Sequence, residues 1–297
     1  MPMTALENYR IGFIGLGLMG RPMCHNLHRA GARLIIHNRS RTVVDQMTRD
    51  GIKSADNPAE VARRADIVLL MVSDTPAVEQ VLFGSDGLAD GLQPGALVID
   101  MGTTAVAATR EFADRLQRAG VDFVDAPVSG GEIGARDGSL AIMAGGKDAA
   151  IERARPLFDV LGKSFIHVGD VGAGQVAKAA NQIIVGLNIG AVAEALALAE
   201  SAGVDPAKVR QALLGGFAAS RILEVHGQRM IDGSFAPGGK VTTQHKDLSQ
   251  ALDLAAAMGL SLPATQLNMD LYQTLIEKGD GALDHSALIR LFRTSGG

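Results

Sequence analysis

One lysine in this chain has neighbours arranged for proton transfer. It lies in the segment Gly172-Ala173-Gly174-Gln175-Val176-Ala177-Lys178-Ala179-Ala180-Asn181-Gln182. Helical spacing puts Gln175, Lys178, Asn181 and Gln182 on one face, as i,i+3 and i,i+4 neighbours. This polar face opens a stretch that is nearly all apolar from residue 183 to 199. Lys178 is therefore expected to be partly desolvated, which suits a lysine to give and take a proton. From spacing alone, a lysine that snorkels to the surface is an equal reading.

A second constellation sits near the start. Residues 11–20 read Ile-Gly-Phe-Ile-Gly-Leu-Gly-Leu-Met-Gly, so Gly15, Gly17 and Gly20 fit G-x-G-x-x-G between a strand-like run and a helical one. That context gives a tight turn, a bare backbone against a pyrophosphate and a close helix–strand contact. The helix start offers free N–H groups to phosphate. Gly15, Leu16, Gly17, Leu18, Met19 and Gly20 are the candidate contacts. The alternative is a glycine-rich turn with no ligand.

The second strand-like run ends in His37-Asn38-Arg39-Ser40. An NAD site usually carries Asp or Glu here, about 20 residues past the glycines, to bind the ribose hydroxyls. Asn38 lacks the carboxylate that would repel a 2′-phosphate, Arg39 can pair with one, and Ser40 adds a hydroxyl. NADP(H) is favoured, NAD(H) remains possible, and a solvated turn is the bland alternative.

These groups must be held by elements legible in the pattern. Strand-like runs at 10–15, 33–37, 66–72, 96–100 and 123–125 alternate with helical stretches at 19–30, 42–50, 58–64, 76–83 and 105–119. Such alternation means βαβ units and a mostly parallel, doubly wound sheet. Asn57-Pro58 reads as an N-cap followed by a first-turn proline. A further strand–helix–strand set covers 139–144, 149–161 and 164–168. Beyond Gly169 only helical patterns follow, at 174–202, 206–214, 220–231, 246–258, 263–278 and 285–293, with Gly203 as a C-cap for the first of them. The expected organisation is an α/β dinucleotide-binding domain over 1–170 and an all-helical substrate and oligomerisation domain over 171–297.

The composition fits this plan. With 47% hydrophobic and 20% charged residues the chain can bury a large core, and its 36 glycines are dispersed through it. A net charge of −4 gives no global attraction to nucleic acid or to an anionic membrane. Cys24 is the single cysteine, which excludes an internal disulfide or a cysteine-based zinc site and reads as a packing residue. Residues 1–10, with Glu7 and Arg10, do not resemble an export signal, and a cytoplasmic location is expected. Asn188 and Glu194 interrupt the apolar run, so a buried helix is expected there rather than a membrane span. A helix that long with so few charges needs cover on several sides, which points to a homodimer or homotetramer. Gly186 and Gly190 would let another element approach closely.

Four segments resemble one known family. They are GFIGLGLMGRPMCHNL at 12–27, DAPVSGG at 125–131, GAGQVAKAANQ at 172–182 and KDL at 246–248. In order and kind they resemble the β-hydroxyacid dehydrogenases, the group containing 3-hydroxyisobutyrate dehydrogenase, tartronate semialdehyde reductase and 6-phosphogluconate dehydrogenase. The resemblance implies that Lys178 is the catalytic acid/base and that Asn181 with Ser129, Gly130 and Gly131 holds the substrate. It also implies cofactor contacts from Met71, Val72, Ser73, Thr103 and Lys246. Without it, Ser129–Gly131 would read as an ordinary turn and Lys246 as a lysine at a helix start. Exposed N–H groups at Gly130 and Gly131 would suit a carboxylate.

Within the family, residues 181–199, Gly215-Gly216 and Asp284-His285-Ser286-Ala287-Leu288 are most similar to the tartronate semialdehyde, glyoxylate and succinic semialdehyde reductases. Pro237-Gly238-Gly239-Lys240 departs from the pattern by a glycine where a bulky residue is expected, and Thr243-Gln244-His245 departs as well. His245 is either a substrate contact or a structural residue at a helix start. The chain is too short for 6-phosphogluconate dehydrogenase, and Lys178 disfavours an imine reductase. The resemblance implies an NADP(H)-dependent reductase acting on a small carboxylate-bearing substrate. The alternatives are oxidation of 3-hydroxyisobutyrate or another 3-hydroxy acid, and a non-catalytic NADP(H)-binding sensor.

Overall fold

The apolar runs of the first half are strands because their side chains find cover on both faces. The computed structural model describes residues 6–293; residues 1–5 of the N-terminal stretch considered above lie outside the described residues. Strands β1 (Arg10–Ile14), β2 (Arg33–His37), β3 (Lys53–Ser54), β4 (Ile67–Leu70), β5 (Leu97–Asp100) and β6 (Asp122–Asp125) lie in the order β3-β2-β1-β4-β5-β6. All these neighbours pair in parallel. The connecting helices are α1 (Gly20–Arg29), α2 (Arg41–Arg49), α3 (Pro58–Arg64), α4 (Thr75–Phe83) and α5 (Val106–Arg118).

Successive strand residues enter different cores, as the pleat requires. Ile11, Phe13, Leu69 and Ile99 pack with Met23 and Leu27. Ile14, Val68, Leu70 and Val98 pack with Val61 and Phe112. Cys24 is buried in the first core, as a packing residue should be. Asn57 caps α3 by accepting the Glu60 N–H at 2.8 Å, with Pro58 in the first turn.

The sheet continues through β7 (Val128–Ser129), α6 (Gly131–Asp137), β8 (Leu140–Gly145), α7 (Asp148–Leu161) and β9 (Gly162–Gly169). β8 runs antiparallel to β6 and β7 and parallel to β9. β3, β7 and α6 had no counterpart in the sequence reading. A two-residue strand has no period to detect, and α6 is framed by Gly130, Gly131 and Gly138, all at positive φ.

The rest is helical: α8 (Ala173–Ser201), α9 (Pro206–Leu213), α10 (Arg221–Asp232), α11 (Val241–Ala257) and α12 (Pro263–Glu277). The two compact units part inside α8, the first ending at Lys178 and the second starting at Ala179. In the second unit Ile189, Ala193 and Leu196 of α8 share a core with Leu248, Tyr272 and Leu288. By length and composition α8 could cross a membrane, but half of its most apolar window is buried within the protein. Gly186 and Gly190 do admit a close neighbour, since a Cβ on either would lie 2.7–2.8 Å from the Asn268 amide of α12.

Two expectations are corrected here. α11 begins at Val241 and not at 246, so Lys246 and His245 are inside the helix and not at its start. Its first residues, Thr242 and Thr243, are weak helix formers. The start is set by tertiary bonds, from the Val241 N–H to the Leu283 carbonyl and from the Thr242 N–H to the Gly281 carbonyl. The last predicted α-helix, at 285–293, is a 3-10 run over His285–Leu291.

Candidate active site

β1 is the point where the sheet order reverses, with β2 on one side and β4 on the other, so a crevice opens beyond its carboxyl end. Gly15 takes φ +99, and a Cβ there would lie 2.2 Å from the Met71 carbonyl oxygen. A Cβ on Gly20 would lie 1.8 Å from the Gly15 carbonyl oxygen. Backbone packing therefore demands both glycines. Gly17 differs: it is exposed, and a Cβ there would meet nothing within 4 Å. The cradle thus fits a dinucleotide, with bare backbone where the pyrophosphate has to approach. Leu18 is exposed and Met19 half-buried just before α1, whereas the Leu16 side chain is in the core.

Asn38 joins this loop to the second strand. Its Oδ1 accepts the Leu16 N–H at 2.9 Å, and its Nδ2 donates to the Ser40 carbonyl at 3.1 Å. Arg39 and Ser40 are both exposed. Beyond β4, Met71 and Val72 are half-buried against the loops that follow β1 and β5. Ser73 is exposed and donates to Asp74, which caps α4 through the Ala77 N–H.

Thr103 lies in the loop after β5, and both its neighbours are pinned. The Gly102 N–H donates to Asp100 Oδ1 at 2.9 Å, and the Thr104 hydroxyl donates to Asp100 Oδ2. Gln175 of α8 accepts the Thr104 N–H at 3.1 Å and donates to the Gly102 carbonyl at 2.9 Å.

Lys178 is buried, at 7% exposure, and its Nζ donates to the Val128 carbonyl at 2.8 Å. A surface lysine is thereby excluded. Ser129, Gly130 and Gly131 follow directly, the serine half-buried and the glycines exposed at φ +137 and +61. Asp125, three residues before Val128, has its carboxylate at the start of α8. Oδ1 accepts the Gly172 N–H at 2.7 Å and Oδ2 the Gln175 N–H at 2.8 Å. Burial pushes its carboxyl up to about 7, against the pull of those two N–H groups.

In the second unit Asn181 donates to Gln182 Oε1 at 2.7 Å. Gln182 Nε2 donates to Asp247 Oδ2 at 2.6 Å, and Lys246 Nζ lies 2.9 Å from Asp247 Oδ1. Gln244 returns a bond to the Gln182 carbonyl at 3.0 Å. Asn181 and Lys246 are thus joined by a chain of hydrogen bonds that ends in an ion pair. His226, Asp284 and His285 bring possible metal ligand atoms within 4.8 Å of one another. Both Asp284 oxygens are already committed, to Ser286 and to Gly238, Gly239 and Arg229, so this cluster is an anchor for the segment before α11.

Comparison with known proteins covers both units. Residues 10–169 match the family model for the NAD binding domain of 6-phosphogluconate dehydrogenase. Residues 172–292 match that for the NAD-binding domain of NADP-dependent 3-hydroxyisobutyrate dehydrogenase. The 2-hydroxy-3-oxopropionate reductase of Escherichia coli (strain K12) is 50% identical over 281 residues, 95% of this chain and 96% of that protein. The 2-(hydroxymethyl)glutarate dehydrogenase of Eubacterium barkeri is 33% identical over 96% of this chain and 95% of that one. Among solved structures, a 3-hydroxyisobutyrate dehydrogenase from Salmonella typhimurium superposes with a TM-score of 0.88 at 30% identity, covering 96% of this chain and all of that one. The chain belongs to the β-hydroxyacid dehydrogenase family. It is an oxidoreductase with a nicotinamide dinucleotide site.

For this β-hydroxyacid dehydrogenase the sequence reading passed over Asp125 and Asp247, although both stand in the segments that carried the resemblance. Each is a carboxylate at a position that folding buries, Asp125 at the end of a strand and Asp247 beside Lys246. Asp125 has a measurable signature. Its folded-state value lies above the ordinary 3.8, so between about pH 4 and 7 only the folded chain keeps the proton. Stability attributable to this group falls as pH rises through that window, by up to about 1.4 kcal/mol per pH unit, and is flat above it. Urea unfolding of wild type and Asp125→Asn from pH 4 to 8 should show this slope in the difference between them, and parallel curves would refute it.

Proposed function

We propose that this enzyme uses NADPH to reduce the carbonyl of a small semialdehyde or keto acid of the tartronate semialdehyde, glyoxylate or succinic semialdehyde class. Lys178 is its general acid. One observation carries the reading: a buried lysine amine is fixed on the Val128 carbonyl, immediately before the Ser129-Gly130-Gly131 turn. The 50% identity to a 2-hydroxy-3-oxopropionate reductase supports the substrate class.

Gly15 to Gly20 hold the pyrophosphate, and Met71, Val72, Ser73, Thr103 and Lys246 border the rest of the dinucleotide. The reduced nicotinamide supplies a hydride when bound. Ser129 and the N–H groups of Gly130 and Gly131 bind the substrate carboxylate, and Asn181 holds the carbonyl oxygen or a neighbouring hydroxyl. Lys178 gives its proton to that oxygen as negative charge develops, so hydride and proton together yield the alcohol. In the oxidative direction Lys178 takes the proton back. A pure binding protein has no use for a buried ammonium at this position.

Asn38, Arg39 and Ser40 support NADP(H) over NAD(H), since the strand end carries no carboxylate and one exposed guanidinium. Self-association, as a dimer or tetramer, is supported by exposed apolar side chains on the helices, among them Ile184 and Leu198 of α8 and Leu267 of α12.

With NADPH and tartronate semialdehyde, Lys178→Ala should lower turnover by about 100-fold while NADPH binding persists, the size expected for loss of a general acid. Unchanged turnover removes Lys178 from the chemistry, and a wild-type enzyme inert toward every acid of this class removes the substrate reading. Arg39→Ala should raise the KM for NADPH by about tenfold and leave that for NADH within about twofold. Equal effects would mean that Arg39 does not read the 2′-phosphate. Sedimentation equilibrium at micromolar concentration should give a dimer or tetramer, and a monomer would overturn the assembly.

A further inference from the structure

Two buried aspartates end neighbouring strands of the sheet. Asp100 closes β5, Asp125 closes β6, and the two are register partners, both fully buried. Burying carboxylates is costly unless every oxygen finds donors. Here the donors are not spread through the core but gathered on two segments. Asp100 takes the Gly102 N–H and the Thr104 hydroxyl, on either side of Thr103. Asp125 takes the Gly172 and Gln175 N–H groups, 47 and 50 residues along the chain.

Gln175 closes the circuit. Its backbone N–H is held by Asp125, while its side-chain amide makes two bonds to the backbone of the Thr103 loop. The Asp125 carboxylate sits in a slot with no spare room. A Cβ on Gly145 would lie 2.8 Å from Oδ1, and one on Gly174 would lie 2.8 Å from Oδ2. The two acceptor oxygens of Asp125 also stand at the N-terminal end of a 29-residue helix, where backbone N–H groups lack intrahelical partners. Lys178 is one turn beyond Gln175, and its Nζ is tied to Val128, three residues after Asp125. Strand end, helix start and amine are therefore braced against one another.

We propose that Asp125 and Gln175 are positioning residues that lock the first turn of α8, and with it Lys178, to the loop carrying Thr103. They act through Lys178 and touch neither substrate nor cofactor. The inference rests on the reading of Lys178 as the acid. Asp125 sets the seating of the helix, and Gln175 shares that setting with the cofactor-side loop. The two substitutions consequently have different signatures.

The test is a double-mutant cycle on the full-length enzyme, with NADPH and tartronate semialdehyde as the probe pair. Asp125→Asn, an isostere that keeps one acceptor, should lower kcat by about tenfold with the KM for NADPH within about twofold, and Asp125→Ala should lower kcat further. In the Lys178→Ala background, Asp125→Asn should change the remaining turnover by less than about twofold, because the residue it positions is gone. Gln175→Leu should lower kcat and also raise the KM for NADPH. An equal loss from Asp125→Asn in both backgrounds, or no loss in either, overturns the proposal.

Lys178→Ala against wild type reads the assignment of the acid by itself, so the two failures are distinguishable. A second measurement does not need turnover. Acetylation of Lys178 by acetic anhydride, followed by mass spectrometry, should be at least about fivefold faster in Asp125→Asn, with other lysines unchanged. Equal protection of Lys178 in both proteins, at normal folded content by circular dichroism, counts against the brace.

Discussion

A lysine amine is costly to take out of water without an acceptor waiting for it, and in this fold a backbone carbonyl accepts from Lys178. The four residues from Asp125 to Val128 do double duty. The carboxylate at one end holds the first N–H groups of α8, and the carbonyl at the other receives Lys178 from the same helix. Helix and side chain are registered by one short, rigid piece of chain at the edge of the parallel sheet. Oxygen atoms fixed in this way need not reorganise when charge moves during a reaction, which is the condition under which polar groups help chemistry most.

The second unit solves a similar problem with amides. Gln182 is nearly inaccessible, yet its side chain serves Asn181, Gln244 and Asp247 together. Asp247 in turn holds Lys246. Buried polar networks specify a unique arrangement when their members are held by one another, as the Gln182 amide and Asp247 Oδ2 are here. The close seating of Asn268 over Gly186 and Gly190 shows how small residues make room for it.

Much of this was legible in the residue order because the signals were local. The glycine triad, the Asn57-Pro58 cap and the long apolar helix each follow from spacing within a few residues, and the structure forms all three. The start of α11 was misplaced because nonlocal backbone bonds from Val241 and Thr242 set it, and no local propensity records those. β7 and α6 escaped for a related reason: they exist through pairing with β8 and through glycine backbone conformations, not through periodicity. Asp125 and Gln175 show the same divide within the site. Their residue types are visible, but the bonds that give them meaning join positions about 50 and 70 apart.

The tether between Asn38 and Leu16 makes the glycine loop and the end of β2 one mechanical piece. A carboxylate in place of the amide would still accept the Leu16 N–H, so the turn at the end of β1 keeps its support. Only the bond to the Ser40 carbonyl is lost, since an oxygen cannot donate there. An exchange of nitrogen for oxygen at this strand end therefore changes the charge and the donors there while the glycine loop keeps its support. The end of β2 and the glycine loop thus share a strut that tolerates either an amide or a carboxylate.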